Sequence, residues 1–157
     1  MRLLLDTHAF LFAIAEPEQL TAKSRRLLAS VEVERWVSVV SLWEIAIKAQ
    51  IGRLAVPLDE SFYLRQLQAL KAQTLAVSLQ HSLALMKLPL HHRDPFDRLL
   101  IAQAKEEELT LMTRDRHLEL MPGSLFISRP GAPGPSRFRR SFRTHRNPAE
   151  DREEYLP

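Results

Sequence analysis

Four carboxylates stand where predicted strands end or predicted helices begin, which is where α/β proteins place ligand-binding side chains: Asp6, Glu44, Asp97 and Asp115. Carboxylates that are brought together repel one another and lose hydration, so a cluster of four calls for a cation. Ligands that are all oxygen favour Mg²⁺ or Mn²⁺ over zinc, and the chain has no cysteine to supply a thiolate. The pattern therefore predicts a Mg²⁺ site, with Mn²⁺ as an alternative ion, that activates water.

The strongest local signal is a helix predicted from residue 95 onwards. Asp94 is a good N-cap, and Pro95 fits the first helical position because its missing N–H would have no partner there. Behind this start lies a wide apolar face that contains Phe96, Leu99, Leu100 and Ile101. The helix is therefore predicted to lie in the core and to present Asp97, in its first turn, at the rim of a sheet.

Strand and helix patterns alternate along the rest of the chain. Short apolar or β-branched runs predict strands at 2–5, 36–40, 74–77, 109–113 and 124–128. Helices are predicted at 8–15, 21–33, 41–51, 59–72 and 78–87, with Thr21 as a cap and Gly52 as a stop. The alternation predicts a three-layer α/β/α sandwich with a central, mostly parallel sheet. In such a sheet the four acids share one edge.

Each acid also has a purely structural explanation. The run 41–44 matches a capping box with Glu44 at the third helical position, and Glu44 can pair with Lys48 one turn later. Asp97 and Asp115 could each cap the segment that follows or contains them. The acid that ends the first strand has the weakest explanation of this kind, because a buried carboxylate needs a partner. A shared cation accounts for all four acids at once.

The net charge of +3 is unevenly distributed along the 157 residues. Residues 129–157 hold seven of the 22 basic residues and four of the 19 acidic ones, so residues 1–128 carry no net charge. Residues 1–128 are predicted to form one domain, whose contacts with a polyanion must come from local placement of charge. The Pro-, Gly- and Arg-rich remainder is predicted to be disordered, either as a solvated tail or as an arm that contacts RNA or a partner.

The amino-terminal stretch resembles a signal peptide, but Asp6 and His8 interrupt its apolar run. No apolar run in the sequence approaches the ~20 residues that a membrane span needs. The lack of cysteine is compatible with a reducing compartment. We therefore expect a cytoplasmic protein that does not contact a membrane.

Four blocks of the sequence resemble the signature blocks of PIN-domain ribonucleases, most of all the VapC-type toxins of bacterial toxin–antitoxin pairs: LLLDTH at 3–8, SLWEIAIK at 41–48, HRDPFDRLLIAQA at 92–104 and TRD at 113–115. The resemblance covers roughly residues 1–128 and excludes the tail. It implies Mg²⁺-dependent cleavage of RNA, homodimerisation and inhibition by a co-expressed antitoxin. It also implies that the acidic quartet consists of Asp6, Glu44, Asp97 and Asp115.

The resulting hypothesis is metal-assisted hydrolysis of phosphodiester bonds. Asp6 and Asp97 would be the principal metal ligands, Asp115 would complete or support the ligand set, and Glu44 would orient or deprotonate the attacking water or hold a second ion. Hydroxyls that would support these acids are predicted at Thr7 and Thr113. Cations that would contact phosphate are predicted at Lys48, Arg98 and Arg114.

Other functions fit the sequence less well. A phosphatase of the haloacid-dehalogenase type needs a second acid two residues after the first, and His8 stands there. A receiver domain needs paired acids near the first strand and a lysine late in the chain, and neither is present. A PIN-like protein that binds RNA or a partner without cleavage is disfavoured by the four acids.

The remaining side chains with possible chemistry are predicted to have ordinary structural roles. His8, His91 and His92 lie near the proposed edge, but their spacing does not match a zinc site and they are predicted to be surface residues. Trp36 and Trp43 are predicted to belong to the core rather than to stack on nucleic-acid bases.

Overall fold

The structure, a computed structural model, describes residues 1–89, residues 94–114 and the strand at 125–126. The strands in these ranges are β1 Arg2–Leu5, β2 Glu34–Ser38, β3 Ala72–Leu75, β4 Thr110–Thr113 and β5 Leu125–Phe126. The α-helices are α1 Thr7–Ala15, α2 Ala22–Ala29, α3 Val39–Gln50, α4 Glu60–Ala69, α5 Leu79–Ala84 and α6 Pro95–Glu106. Short 3₁₀ helices lie at Pro17–Gln19 and Leu85–Lys87.

The strands form one parallel sheet in the order β3-β2-β1-β4-β5. The central strand β1 pairs with β2 on one side and with β4 on the other, so Leu5 lies opposite both Val37 and Met112. Leu3, Leu4 and Leu5 are completely buried, as expected for a strand that is covered on both faces. This arrangement confirms the predicted parallel sheet.

Helices cover both faces of the sheet and make two apolar clusters. Because side chains alternate along a strand, Leu3 and Leu5 join one cluster while Leu4 joins the other. The first cluster contains residues from α1, α3 and α4, including Phe10 and Ile45. The second contains three residues of α6, together with residues of β1, β3, β4 and the start of α3. The two clusters establish the predicted α/β/α sandwich.

Three boundaries next to the sheet differ from the predicted ones. Strand β3 begins at Ala72, two residues before the prediction, because Arg35 to Ser38 of β2 pair with Ala72 to Leu75. Helix α4 correspondingly ends at Ala69, and Lys71 adopts a left-handed conformation with φ of 50° where the chain enters the strand. Helix α2 ends at Ala29 rather than at residue 33, since β2 starts at residue 34.

Helix α3 begins two residues earlier than predicted. Its cap is Ser38, whose hydroxyl accepts a hydrogen bond from the backbone N–H of Val40 at 3.0 Å and donates one to Gln103 Oε1 at 2.6 Å. Glu44 is therefore the sixth helical residue, and the capping box proposed for 41–44 is wrong. The second contact of Ser38, with a side chain on α6, explains why this serine rather than Ser41 ends the strand.

Gln103 fixes α6 against the sheet. Its fully buried side chain accepts from Ser38 and donates through Nε2 to the Ala76 carbonyl oxygen at 3.1 Å. The start of α6 is as predicted: Asp94 Oδ1 accepts from the backbone N–H of Phe96 at 2.8 Å, and Pro95 is the first helical residue. The contacts of Gln103 therefore hold the third turn of α6 near the carboxyl ends of β2 and β3.

No helix in the described ranges is long and apolar enough to cross a bilayer. The predicted boundary at residue 128 and the predicted disorder of residues 129–157 lie outside the described residues.

Candidate active site

The side chain of Asp6 is fixed at the carboxyl end of the central strand. It is 4% exposed and caps α1, with Oδ1 accepting from the backbone N–H of Ala9 at 2.6 Å. Its other oxygen, Oδ2, accepts from the hydroxyl of Thr113, at the end of β4, at 2.6 Å. Two neighbouring strands and one helix therefore determine the orientation of this carboxylate.

Burial raises the pKa of the Asp6 carboxyl above its usual value. The nearby His8 charge and the hydrogen bonds from Thr113, Ala9 and the backbone of Arg114 lower this pKa and only partly oppose the effect of burial. Among the described residues, no lysine or arginine forms an ion pair with Asp6. A bound cation would supply the missing compensation, and an oxygen donor of this kind suits Mg²⁺ or Mn²⁺.

Glu44 lies on the face of α3 that packs against α1. It is 3% exposed, and its two oxygens have different partners: Oε2 accepts from the Thr7 hydroxyl, and Oε1 pairs with the Lys48 ammonium. Thr7 directly follows Asp6, so this hydrogen bond connects the segments that carry the first two acids of the predicted quartet. The expected pair between Glu44 and Lys48 is present, one helical turn apart.

His8 lies within electrostatic reach of both acids. Burial lowers the pKa of its imidazole, while the negative charges of Asp6 and Glu44 raise it. The positive charges of Arg114 and Lys48 also lower this pKa. His8 is half-buried, and its ordinary structural role stays a prediction.

Asp97 is the third residue of α6, as predicted, and its side chain is half-buried. The positive end of the helix dipole favours a carboxylate in this first turn. Within residues 1–89 and 94–114, no three His, Asp or Glu side chains lie close enough together to hold a metal ion. Asp115, like His91 and His92, lies outside the described residues. Convergence of the complete quartet remains a prediction.

The predicted phosphate-binding cations already have contacts within the protein. The ammonium of Lys48 is paired with Glu44, and the guanidinium of Arg114 lies 5.7 Å from the centre of the Phe12 ring. The guanidinium of Arg98 donates to three carbonyl oxygens near the end of the second 3₁₀ helix: Pro89 at 2.8 Å, Leu88 at 3.2 Å and Leu85 at 3.3 Å. Arg98 thus has a structural role, and a phosphate contact remains a prediction for all three cations.

The prediction that Trp43 belongs to the core is wrong. The buried residues of α3 include Val40, Ser41, Glu44 and Ile45, and helical spacing turns Trp43 away from them. Its side chain is 58% exposed and contacts Phe96, with ring centres 5.1 Å apart and planes at 76°. Trp36 is half-buried and packs against the second apolar cluster, in agreement with its prediction.

A comparison of the sequence against known families agrees with the parallel sheet and with the buried acids Asp6 and Glu44. The profile of the PIN domain matches residues 3–123. The chain therefore belongs to the PIN-domain family. This membership leaves the phosphatase alternative without support.

Individual relatives agree with this family. The chain is 30% identical over 116 residues to ribonuclease VapC22 of Mycobacterium tuberculosis. The aligned residues make up 73% of this chain and 88% of that protein. Similar solved structures include a VapBC2 complex from Rickettsia felis bound to a promoter DNA fragment, with a TM-score of 0.58, 16% identity and coverage of 80% of this chain and 97% of that one. A DNA-bound VapBC complex from Salmonella typhimurium has a TM-score of 0.55 and 19% identity, and the match covers 80% of this chain and 96% of that one. These two structures support the fold.

Proposed function

We propose that this protein is a metal-dependent endoribonuclease that hydrolyses RNA phosphodiester bonds and acts as the toxin of a toxin–antitoxin pair. The observation that carries the proposal is the buried Asp6 carboxylate at the end of the central strand, held by Thr113 and connected through Thr7 to Glu44. Membership of the PIN-domain family and similarity to a ribonuclease support the same activity.

The residues have distinct roles in this proposal. Asp6 and Asp97 would hold the cation, and Asp115 would complete or support the oxygen ligands. Bound Mg²⁺, or Mn²⁺ in its place, lowers the pKa of water and stabilises negative charge on the phosphate. Glu44 would orient the attacking water. Thr113 and the Ala9 N–H would keep both oxygens of Asp6 in place, so that the ligand need not reorganise when substrate binds.

The proposed partners are an RNA substrate, a cognate antitoxin protein and a second copy of this chain in a homodimer. Similarity to VapBC complexes supports an antitoxin partner. We expect the activity in the cytoplasm, where RNA is accessible. Lys48, Arg98 and Arg114 remain candidates for contacts with phosphate, as local cations in a domain without net charge.

Cleavage of total RNA by the purified protein tests the proposal directly. We expect cleavage with Mg²⁺ or Mn²⁺ and none with a chelator, with mapped 5′ and 3′ ends defining the broken bond. Asp6→Asn should lower the rate by about 100-fold or more, because a metal site contributes several kcal/mol of transition-state stabilisation. Cleavage that survives both chelator and this substitution would refute the proposal.

Asp59→Asn is a matched control for this experiment. Asp59 also caps a helix, since Oδ1 accepts from the backbone N–H of Ser61 at 2.9 Å, but it is exposed and is not one of the four acids. Asparagine caps helices about as well as aspartate, so both variants should fold. Only the Asp6 variant should lose activity.

A further inference from the structure

We propose that Trp43 is a stacking platform for a base of single-stranded RNA beside the cleavage site. This inference rests on the proposed ribonuclease function and adds a substrate-binding residue to it. Trp43 combines an exposed indole, an aromatic side chain that supports it, and contact with the first turn of the helix that carries Asp97.

Phe96 holds the indole of Trp43 in place. Phe96 packs against the second apolar cluster, so it is anchored to the core, and it meets Trp43 at a ring-centre distance of 5.1 Å. The rings are nearly perpendicular, at 76°. Such an edge contact leaves at least one face of the indole uncovered by Phe96, and the side chain is 58% exposed. The exposed surface is therefore large and pre-oriented.

Trp43 and Phe96 lie on the two helices that carry Glu44 and Asp97. Trp43 directly precedes Glu44 on α3, and Phe96 directly precedes Asp97 in the first turn of α6. Contact between the two rings therefore brings together the two helices that carry these acids. A base stacked on Trp43 would therefore belong to a nucleotide close to the first turn of α6, where Asp97 is proposed to hold the cation that activates water.

The charge of the domain favours a contact of this kind. Residues 1–128 carry no net charge, and the cations near the rim already contact groups of the protein. The net charge of residues 1–128 can therefore supply little of the affinity for RNA, whereas most nucleic-acid-binding proteins obtain much of it from basic residues. Stacking on an aromatic ring supplies affinity without charge and accepts any base, because each base has a π-face.

Quenching of tryptophan fluorescence tests the contact directly. Trp36→Phe leaves Trp43 as the single tryptophan, and it removes a buried indole N–H that has no partner among the described residues. With a mixed-sequence single-stranded RNA oligonucleotide, in chelator to prevent cleavage, we expect saturable quenching of the Trp43 emission. A protein that binds the labelled oligonucleotide by anisotropy without quenching would overturn the inference.

Substitution of Trp43 measures how much base stacking contributes to the affinity for RNA. Trp43→Ala should weaken oligonucleotide binding by about 5- to 150-fold, since stacking contributes about 1–3 kcal/mol per base. Trp43→Phe, which keeps an aromatic face, should recover most of the loss. Leu64→Ala is the matched control, because Leu64 has the same exposed fraction of 58% on another helix and should leave binding unchanged. Melting curves would establish that each variant is folded.

The outcomes separate this inference from the proposed function. If the wild-type protein binds and cleaves RNA while Trp43→Ala behaves identically, the inference is wrong and the ribonuclease function stands. If the wild-type protein neither binds nor cleaves RNA, both are wrong. If Trp43→Ala binds RNA normally but loses its antitoxin, the residue serves a protein interface and the inference is overturned.

Discussion

Replacement of Thr113 by valine removes the donor of the hydrogen bond to Asp6 in the candidate site. The hydroxyl of Thr113 donates to Asp6 Oδ2 at 2.6 Å, and the two residues are 0% and 4% exposed. Valine keeps the β-branched shape that suits β4 but removes the donor. A hydrogen bond to a charged group contributes about 1.5–3 kcal/mol, so Thr113→Val should lower the free energy of unfolding by this amount when Asp6 is ionised.

The loss should depend on pH, with a sign that follows from Asp6. Burial raises the pKa of this carboxyl above 3.8 in the folded protein. Folding is therefore coupled to proton uptake by Asp6 at pH values between 3.8 and the folded-state pKa. The contribution of Asp6 to stability is therefore greatest below pH 3.8 and falls as pH rises through the folded-state pKa. The Thr113 hydrogen bond favours the ionised form, so valine raises this pKa further. The difference between wild type and Thr113→Val should grow with pH.

Thermal melts in chelator between about pH 4 and pH 8 measure both effects. For a chain of this size 1 kcal/mol shifts Tm by about 2–4 °C, so the loss corresponds to about 3–12 °C at the upper end of the pH range. Thr110→Val is the control, as a threonine at the other end of the same strand. An equal loss at every pH, or the same loss for Thr110→Val, would refute the coupling between Thr113 and ionised Asp6.

Three further predictions concern the metal, the tail and Arg98. Asp97→Asn should keep or raise Tm in chelator and should reduce the stabilisation by Mg²⁺, which is about 2.7 kcal/mol at a hundredfold excess over Kd. If the substitution instead lowers the free energy of unfolding by about 0.5–2 kcal/mol both with and without Mg²⁺, Asp97 acts as a helix cap. Deletion of residues 130–157 should leave Tm nearly unchanged, and a drop above about 4 °C would show a docked tail. Arg98→Ala should destabilise the protein by about 1–2 kcal/mol in melts by losing its carbonyl contacts. If Arg98 also contacts phosphate, the slope of the logarithm of the RNA-binding constant against the logarithm of the salt concentration should fall in magnitude by about 1 in this variant.

Local sequence signals predicted much of the fold because they act between neighbouring residues. Asp94 and Pro95 start α6 as expected, and Thr21 caps α2 by accepting from the backbone N–H of Ser24. Gly52, with φ of 72°, follows the end of α3 in the left-handed conformation that glycine adopts without strain. Alternating strands and helices then limit the sheet to parallel pairing. The placement of Asp6 at the carboxyl end of the central strand follows from that topology.

Contacts between distant segments decided what the sequence left open. Either Ser38 or Ser41 has the right chemistry to cap α3, and a hydrogen bond to Gln103, 65 residues away, selects the first. The partner of Asp6 is Thr113, 107 residues away, and it becomes a neighbour only because β1 pairs with β4. The exposure of Trp43 follows from which face of α3 packs against the rest of the protein. Each outcome depends on which strands and helices are adjacent and in what register, and propensities of neighbouring residues do not carry that information.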